Sequence, residues 1–323
     1  MSASETTGVT PLTPELAASI EQMLDDAGIH ANRQLVRRIV TSGLLLGTDN
    51  TDRLDLKITA AALDEMREAF QLFAPFTAAP KVSVFGSART QTNDPLYVRA
   101  HAVAQALAAD GWMVVTGAGP GIMQAAAEGA GPAQSIGVSI RLPFEEAPNA
   151  TLAEPNVVTM KYFFTRKLML MKESKGFVCL PGGFGTLDEM FELLTLQQTG
   201  KAEPVPIVLL DEPGGTFWQG LRHFIEPPLV PAGVISADDF DRVLVTDSVK
   251  AAVAEVTRFW HNYNSLRWVG ERLVLRLNHA PTDAEIALLN ERFGSLVAEG
   301  AIERTAPLAP ERRDNDVVEL PRL

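Results

Sequence analysis

The feature that most constrains the fold is a pattern that begins at residue 81, in which short apolar runs alternate with glycine turns and amphipathic segments. The apolar runs cover 82–85, 112–115, 135–138, 177–180 and 206–210, and the amphipathic segments between them cover 95–109, 121–130, 162–174 and 186–199. Strands that alternate with helices of this length are typical of a parallel sheet covered by helices on both faces. We therefore predict an α/β domain over residues 79–264.

The first 78 residues have a different pattern, which predicts a helical block. Thr13-Pro14-Glu15 has the order of an N-cap, a proline in the first helical position and an acidic first turn. Apolar residues then follow helical spacing in three stretches. This block contains no cluster of polar residues with catalytic spacing, so we expect it to serve packing or assembly.

The last part of the chain, residues 265–323, predicts a small β-α-β-like appendage. Residues 273–277 have the alternation of a strand, and 281–297 that of a helix capped by Thr282 or Asp283. A second short strand is expected at 302–305. The sequence thus predicts three parts, covering 1–78, 79–264 and 265–323.

Charge limits the partners of this chain. A formal net charge of −12 argues against general binding of nucleic acid, because an acidic surface repels the phosphate backbone. Residues 161–175 run against this trend, since five basic residues there face the single acidic residue Glu173. Such a segment suits a small anion better than a polymer, although a solvated basic helix explains it equally well.

The cellular compartment is indicated by the lack of long apolar runs and by the presence of a single cysteine. No apolar run approaches the roughly 20 residues of a membrane-spanning helix, and residues 1–10 have no basic or apolar part of a secretory signal. The single cysteine, Cys179, excludes an internal disulfide and fits a reducing compartment. We therefore expect a cytoplasmic protein without a membrane partner. Because Cys179 lies inside an apolar run, we expect it in the core rather than as a nucleophile.

Three glycine turns follow predicted strands, and each therefore belongs at the carboxyl edge of the sheet, where ligands of open parallel sheets bind. The turns are Gly86-Ser87-Ala88-Arg89, Thr116-Gly117-Ala118-Gly119-Pro120-Gly121 and Pro181-Gly182-Gly183-Phe184-Gly185-Thr186. Glycines there let backbone N–H groups and a helix N-terminus approach an anion. None has the spacing of a dinucleotide fingerprint or of a Walker motif. Glycines also simply make tight turns, but three on one edge favour a phosphate or nucleotide site.

Two charged residues near the third turn have two interpretations each. Thr186 and Glu189 have capping-box spacing, in which Glu189 only stabilises the start of a helix. The same position also sets a carboxylate one turn inside a helix that receives phosphate. Arg166 shares a helix face with apolar residues, so it is either a solvated arginine with a buried stem or a guanidinium directed into the cleft.

Taken together, Pro181-Gly182-Gly183-x-Gly185-Thr186-x-x-Glu189 and the preceding Phe164-x-Arg166-Lys167 resemble the signature of the LONELY GUY (LOG) family of phosphoribohydrolases. The resemblance covers roughly residues 80–262. It implies a Rossmann-like fold, release of free base and ribose 5-phosphate from nucleoside 5′-monophosphates, no organic cofactor, and homodimers or larger homo-oligomers.

The resemblance also implies roles for individual residues. Arg166 and Glu189 match the catalytic pair of the family. We assign binding of the phosphate and ribose to Gly182, Gly183, Gly185, Thr186, Ser87, Gly117, Gly119, Gly121 and Lys167. Two departures, Phe163-Phe164-Thr165 and the Gly-Ala-Gly order of the second turn, leave open whether the base is adenine, a prenylated adenine or another base.

The sequence therefore predicts an N-glycosidase that acts on a nucleoside monophosphate, and the main alternative is a nucleotide-binding regulatory protein without catalysis. A decarboxylase that uses pyridoxal phosphate requires a Schiff-base lysine, and no lysine is singled out for that role. The five histidines are scattered without the spacing of a zinc site, so we expect no metal.

Overall fold

The computed structural model of this chain describes residues 12–142 and 156–323. Its internal contacts divide the chain into two units, Met1–Glu65 and Met66–Leu323. The first boundary lies within a helix, earlier in the chain than residue 78. The division into three parts that the sequence predicts stays a prediction.

The first unit consists of helices, as its periodicity predicts. They are α1 (Pro14–Asp26), α2 (Arg33–Thr48) and the beginning of α3 (Arg53–Phe73). The expected N-cap is confirmed, because the Thr13 hydroxyl accepts a hydrogen bond from the Leu16 amide. Arg33 joins the first two helices through ion pairs to Glu21 at 2.8 Å and to Asp25 at 2.6 Å.

The second unit is built on a seven-stranded sheet, and every pair of neighbouring strands in it is parallel. The strands are β1 (Lys81–Phe85), β2 (Met113–Thr116), β3 (Ser135–Ile140), β4 (Val157–Met160), β5 (Phe177–Cys179), β6 (Ile207–Leu210) and β7 (Val243–Thr246). The helices that follow them are α4 (Pro95–Ala109), α5 (Ile122–Ala130), α6 (Phe163–Lys172), α7 (Phe184–Gln198), α8 (Phe217–Leu229) and α9 (Val249–Phe259). All five predicted strands are present, and the Rossmann-like α/β class is confirmed.

Two strands, β4 and β7, were not predicted, and they form the two edges of the sheet. Both are four residues long and only partly buried. Neither is followed by a glycine turn, since Lys161 comes after β4 and Asp247 comes after β7. The search for an apolar run followed by a glycine turn therefore missed them.

The sheet is buried on both faces, because alternate side chains of each central strand point to opposite layers of helices. On one face Val82 and Val178 pack with α4, α5 and α9, and on the other Phe177 and Cys179 pack with the end of α3 and with α6, α7 and α8. Cys179 is thus a core residue, as predicted. Among the residues that the structure describes, no helix combines the length and apolar character needed to cross a bilayer.

The strand order is β4-β3-β2-β1-β5-β6-β7. The chain leaves β1 toward one edge through β2, β3 and β4, and then returns to the other side of β1 as β5. The point between β1 and β5 is therefore a topological switch point, where ligands of open α/β sheets bind. The three glycine turns follow β1, β2 and β5, which are adjacent strands at this point.

The C-terminal appendage differs from its prediction. It contains an antiparallel hairpin of β8 (Tyr263–Val269) and β9 (Arg272–Leu277), followed by α10 (Asp283–Phe293) and α11 (Ala309–Asp314). The strand β9 and the Thr282 cap of α10 are confirmed.

The strand predicted at 302–305, and with it the β-α-β-like order, is wrong. The amide side chain of Asn290 bonds both the N–H and the carbonyl of Ile302, which holds this segment against α10. The backbone of β9 instead pairs with the last residues of the chain, through Leu275 and Leu323.

A buried ion cluster fastens this C-terminal segment. The carboxylate of Glu311, in α11, has no solvent exposure and accepts hydrogen bonds from Arg276 at 3.0 Å and from Arg322 at 2.8 Å. Its second oxygen accepts the Leu308 amide. Because a buried charge is costly without partners, this set of bonds makes the C-terminal residues part of the folded appendage.

Candidate active site

The three glycine turns pack against one another at the carboxyl edge of the sheet. The Ser87 amide of the first turn donates to the Pro181 carbonyl of the third, and the Ser87 carbonyl accepts the amide of Ile122 after the second. The approach is close enough to need glycine. A Cβ on Gly86 would overlap the Ile122 side chain, and one on Gly121, whose φ is +68°, would strike the Ser87 carbonyl.

The third turn leads directly into α7. Gly183 is the N-cap residue, so the helix begins at Phe184 and its first N–H groups open toward the turn. A Cβ on Gly182 would collide with the Thr186 hydroxyl and lie 2.9 Å from the Ser87 amide. Gly183 and Gly185 are exposed, with open space where a Cβ would be. The turn therefore presents bare backbone to a ligand.

The capping-box interpretation of Thr186 and Glu189 is wrong. Thr186 is the third residue of α7 and is buried, and the N-cap residue Gly183 has no side chain to cap with. The helix starts three residues earlier than a Thr186 cap requires. Glu189 consequently lies in the second turn of the helix and does not cap its end.

The second turn surrounds a guanidinium. Arg166, from α6, donates through Nε to the Val138 carbonyl at 2.9 Å and through Nη2 to the Gly117 carbonyl at 3.3 Å. A Cβ on Gly117 would collide with that guanidinium, and one on Gly119 would press on Met123. Of the two interpretations of Arg166, the solvated one is excluded, since its guanidinium lies on backbone carbonyls at the carboxyl edge. Ala118 between these glycines has φ +56°, a conformation that costs a non-glycine residue energy.

Glu189 is an acidic residue at this edge whose pKa is raised by burial. Its residue exposure is 8%, and among the described residues its Oε2 has no hydrogen-bond partner. Burial raises the pKa of Glu189 to about 7, although the positive charges of Lys167 and Arg166 oppose the rise. A buried carboxylate with a perturbed pKa in a cleft is a typical property of a catalytic group.

Lys167 forms ion pairs with two acidic side chains of α7. Its ammonium lies 2.6 Å from the Asp188 carboxylate and 2.7 Å from that of Glu192, both on α7. Burial by itself lowers the pKa of Lys167, but the hydrogen bonds to these two carboxylates raise it above its ordinary value. The acidic side chains around Glu189, which are unfavourable beside an anion, are thus paired with Lys167. The four-residue spacing of Asp188 and Glu192 on α7 is the signal that would have revealed this pairing.

Two further chemical candidates, a nucleophilic thiol and a metal site, are not supported by the described residues. Burial, followed by the charge of Glu189, raises the pKa of the Cys179 thiol, which makes it inert as a nucleophile. Within 12–142 and 156–323, no group of three or more His, Cys, Asp or Glu side chains could hold a metal ion.

Comparison with known proteins identifies relatives of this chain. Residues 121–256 match the family model described as "Possible lysine decarboxylase". A cytokinin riboside 5′-monophosphate phosphoribohydrolase of Mycobacterium tuberculosis is 33% identical over 171 residues, which are 51% of this chain and 88% of that protein. The protein of the same name from Mycobacterium marinum is 31% identical over 169 residues, with the same coverage of both chains.

Among solved structures, the molybdenum cofactor binding protein of Rippkaea orientalis is 19% identical, with a TM-score of 0.40, and the match covers 56% of this chain and 97% of that one. Both mycobacterial relatives are matched over 88% of their length. On that coverage and identity, the chain belongs to the LOG family of phosphoribohydrolases.

Proposed function

We propose that this protein hydrolyses the N-glycosidic bond of nucleoside 5′-monophosphates and releases free base and ribose 5-phosphate. The observation that carries the proposal is Glu189, a buried carboxyl group whose Oε2 has no partner among the described residues. It lies in α7, the helix that begins at the third glycine turn, which we call the cradle. The names of the mycobacterial relatives support the same reaction class.

The cradle provides the site for the 5′-phosphate. The exposed backbone of Gly183 and Gly185, together with the first N–H groups of α7, offers hydrogen-bond donors and the positive end of the helix dipole. We assign Gly182 and Thr186 to shaping this turn, and Ser87 to joining it to the first turn. Gly117, Gly119 and Gly121 form the neighbouring wall, where the ribose and base would lie.

The reaction needs an anion near C1′, because cleavage passes through an oxocarbenium-like state. Ionised Glu189 stabilises the positive charge that develops there and accepts a proton from the attacking water as the C1′–O bond forms. The electron pair of the broken C1′–N bond stays with the base, which takes up a proton from solvent, and the proton that Glu189 accepted returns to solvent. Arg166, held on two carbonyls, orients the nucleotide and assists departure of the base.

Lys167 has a different part in this proposal from the phosphate contact that the sequence suggests. With its ammonium between Asp188 and Glu192, it joins α6 to α7 and thereby fixes Arg166 relative to Glu189. Its positive charge also keeps the pKa of Glu189 from rising further.

The alternative, a nucleotide-binding protein without catalysis, is not favoured. A buried carboxylate beside an anion site weakens binding of the anion by repulsion, and its desolvation costs the folded protein free energy. A protein that only binds would gain from an apolar residue or a glutamine at position 189. An enzyme needs the acid, because its pKa near neutrality suits proton transfer.

The test is release of base. Purified protein is incubated with a panel of nucleoside 5′-monophosphates that includes a prenylated adenine nucleotide, and free bases are separated by chromatography. We expect base from at least one member of the panel, and the panel also identifies the preferred base. Saturable nucleotide binding by folded protein without any released base would establish the binding-only alternative.

Two variants test the assigned residues. Glu189→Ala and Arg166→Ala should each lower kcat by about 10²–10³, the typical effect of removing a central electrostatic group. Glu68→Ala, which removes an exposed glutamate of α3, is the matched control and should keep wild-type activity. Circular dichroism of all three variants checks that the fold is retained.

We also propose that the protein works in the cytoplasm as a homodimer or larger homo-oligomer, without a nucleic-acid or membrane partner. The single, buried cysteine supports the cytoplasmic location. The acidic net charge supports the absence of a nucleic-acid partner. Light scattering of the purified chain measures the oligomeric state.

A further inference from the structure

A second concave site lies at the opposite edge of the sheet. Its cavity has a volume of about 300 Å³. Trp112 immediately precedes β2 and Lys175 precedes β5, so the cavity opens at the amino ends of the strands. The glycine turns, Arg166 and Glu189 belong to the carboxyl ends. The cavity is therefore separate from the candidate active site, and its other walls come from the end of α9 and from the appendage.

The lining combines aromatic rings with amides. Trp112, Trp260 and Tyr263 all border the cavity, and the rings of Trp260 and Tyr263 lie 5.5 Å apart. The Trp260 indole is held in place by a hydrogen bond from its N–H to the Lys175 carbonyl. Asn264 and Asn278 border the same space, with an amide-to-amide hydrogen bond of 3.2 Å between them. Rings for stacking beside groups that both donate and accept hydrogen bonds suit a planar heteroaromatic ligand.

A positive charge is present as well. The Lys175 ammonium lies 4.6 Å from the centre of the Trp260 ring, and none of the ion pairs between described residues involves Lys175. The basic segment 161–175 is thus divided between two edges of the sheet. Arg166 and Lys167 serve the carboxyl edge, whereas Lys175 borders the cavity at the amino edge. The proposed reaction leaves this second cation without a task.

We propose that this cavity is a second binding site, for a small anion of the nucleoside monophosphate class, which carries a planar heteroaromatic base. The base lies against the ring of Trp260, because Trp112 is only 5% exposed. The amides of Asn264 and Asn278, which also bond Ser265 and the Trp260 carbonyl, hydrogen-bond the edge of the base with their remaining donor and acceptor positions. The phosphate lies at Lys175. A volume of about 300 Å³ is at the lower end of the range of small-molecule sites, about 300–1,000 Å³, and suits one mononucleotide. The appendage is then a component of a ligand site, since Tyr263, Asn264 and Asn278 belong to it.

The proposal does not depend on the proposed function, and its test uses a probe that no glycosidase cleaves. Formycin 5′-monophosphate has a carbon–carbon glycosidic bond, so it stays intact whether or not the protein is an N-glycosidase. Titration calorimetry of the full chain with this probe should give two binding events for each chain, one at each edge of the sheet.

Two variants then locate the second event. Lys175→Met removes the charge, and we expect it to weaken the second event tenfold or more while the first is unchanged. Trp260→Leu removes the stacking surface and should have a similar effect. Lys250→Met, which removes an exposed lysine at the opposite end of α9 from Trp260, is the matched control and should leave both events intact.

Separate titrations with formycin and with inorganic phosphate divide the affinity between ring and phosphate. Formycin should bind the second site more weakly than its monophosphate does, and with the same dependence on Trp260. A single binding event for each chain that Lys175→Met leaves unchanged overturns the proposal, whereas a single event that Lys175→Met weakens supports this site and removes the one at the carboxyl edge. A second event that Lys175→Met and Lys250→Met change equally also overturns the proposal, because the cavity would then have no part in it.

Discussion

Replacing Glu189 by glutamine should stabilise the protein at neutral and alkaline pH, even though it removes the proposed catalytic acid. The buried carboxyl group is neutral below its pKa of about 7 and charged above it, and burial makes the charged form unfavourable. Glutamine has nearly the same shape and is never charged. The substitution therefore removes a cost that grows in the wild-type protein as pH rises from 4.5 to 7 and stays at its full value above that range.

The magnitude follows from the raised pKa. In the unfolded chain the ordinary value of 4.5 applies, so between pH 4.5 and 7 the folded state holds more of the proton, and stability falls as pH rises through this window. One pH unit corresponds to about 1.36 kcal/mol. The gain of Glu189→Gln over wild type is then about 1.4 kcal/mol at pH 5.5 and about 3.3 kcal/mol at pH 8. The increase between the two pH values, about 2 kcal/mol, does not depend on how well glutamine packs.

Urea denaturation at pH 5.5 and pH 8 measures this increase. Tryptophan fluorescence reports on the second unit, because all four tryptophans lie in it. Glu68→Gln, at an exposed position of α3, should differ from wild type by the same small amount at both pH values. If the advantage of Glu189→Gln is equal at pH 5.5 and pH 8, the carboxyl group titrates near its ordinary value, and the argument from burial is refuted.

Three further predictions concern the residues around this acid. Arg166→Lys keeps a positive charge but cannot bond two carbonyls in the same geometry, so kcat should fall about 10²-fold while the pH profile keeps its shape. Gly117→Ala places a Cβ on that guanidinium and should lower kcat, because the Arg166 side chain has to move away from it. Gly220→Ala, in α8, is the control and should leave kcat unchanged, because there is open space where its Cβ would be. Lys167→Met removes a charge that lowers the pKa of Glu189, so the rise of kcat/KM with pH, centred near 7 in wild type, should move to higher pH. An unmoved profile would show that Lys167 does not act on Glu189.

Local signals were enough for the central strands and for most helix boundaries. Val82 and Val178 lie in runs that are apolar on both faces, and such runs are typical only of strands covered on both sides. Thr13 and Thr282 carry cap signals that concern neighbouring residues alone, and both caps are present. The strand prediction for residues 302–305 was wrong because the backbone of Ile302 bonds the side chain of Asn290, which is distant in sequence.

The site divides in the same way. Glycine turns after apolar runs are local features, and a parallel sheet necessarily brings its carboxyl ends to one edge, so the sequence determined that Ser87, Gly117 and Gly182 would meet. It did not determine what the charged side chains do there. Whether Glu189 capped α7 or lay in its second turn, with an Oε2 that no described residue bonds, depended on where that helix begins.

The turn before α7 packs against Ser87, which follows a different strand, and the spacing of a cap signal contains no such tertiary contact. The same holds for Lys167, which could have faced a phosphate and instead lies between Asp188 and Glu192 on the next helix. Burial and ion pairing depend on neighbouring residues that are distant in the sequence and come together only in the folded chain. The sequence by itself thus determined which chemical groups meet at the edge, and only the tertiary structure decided which acid is buried with an oxygen that no described residue bonds.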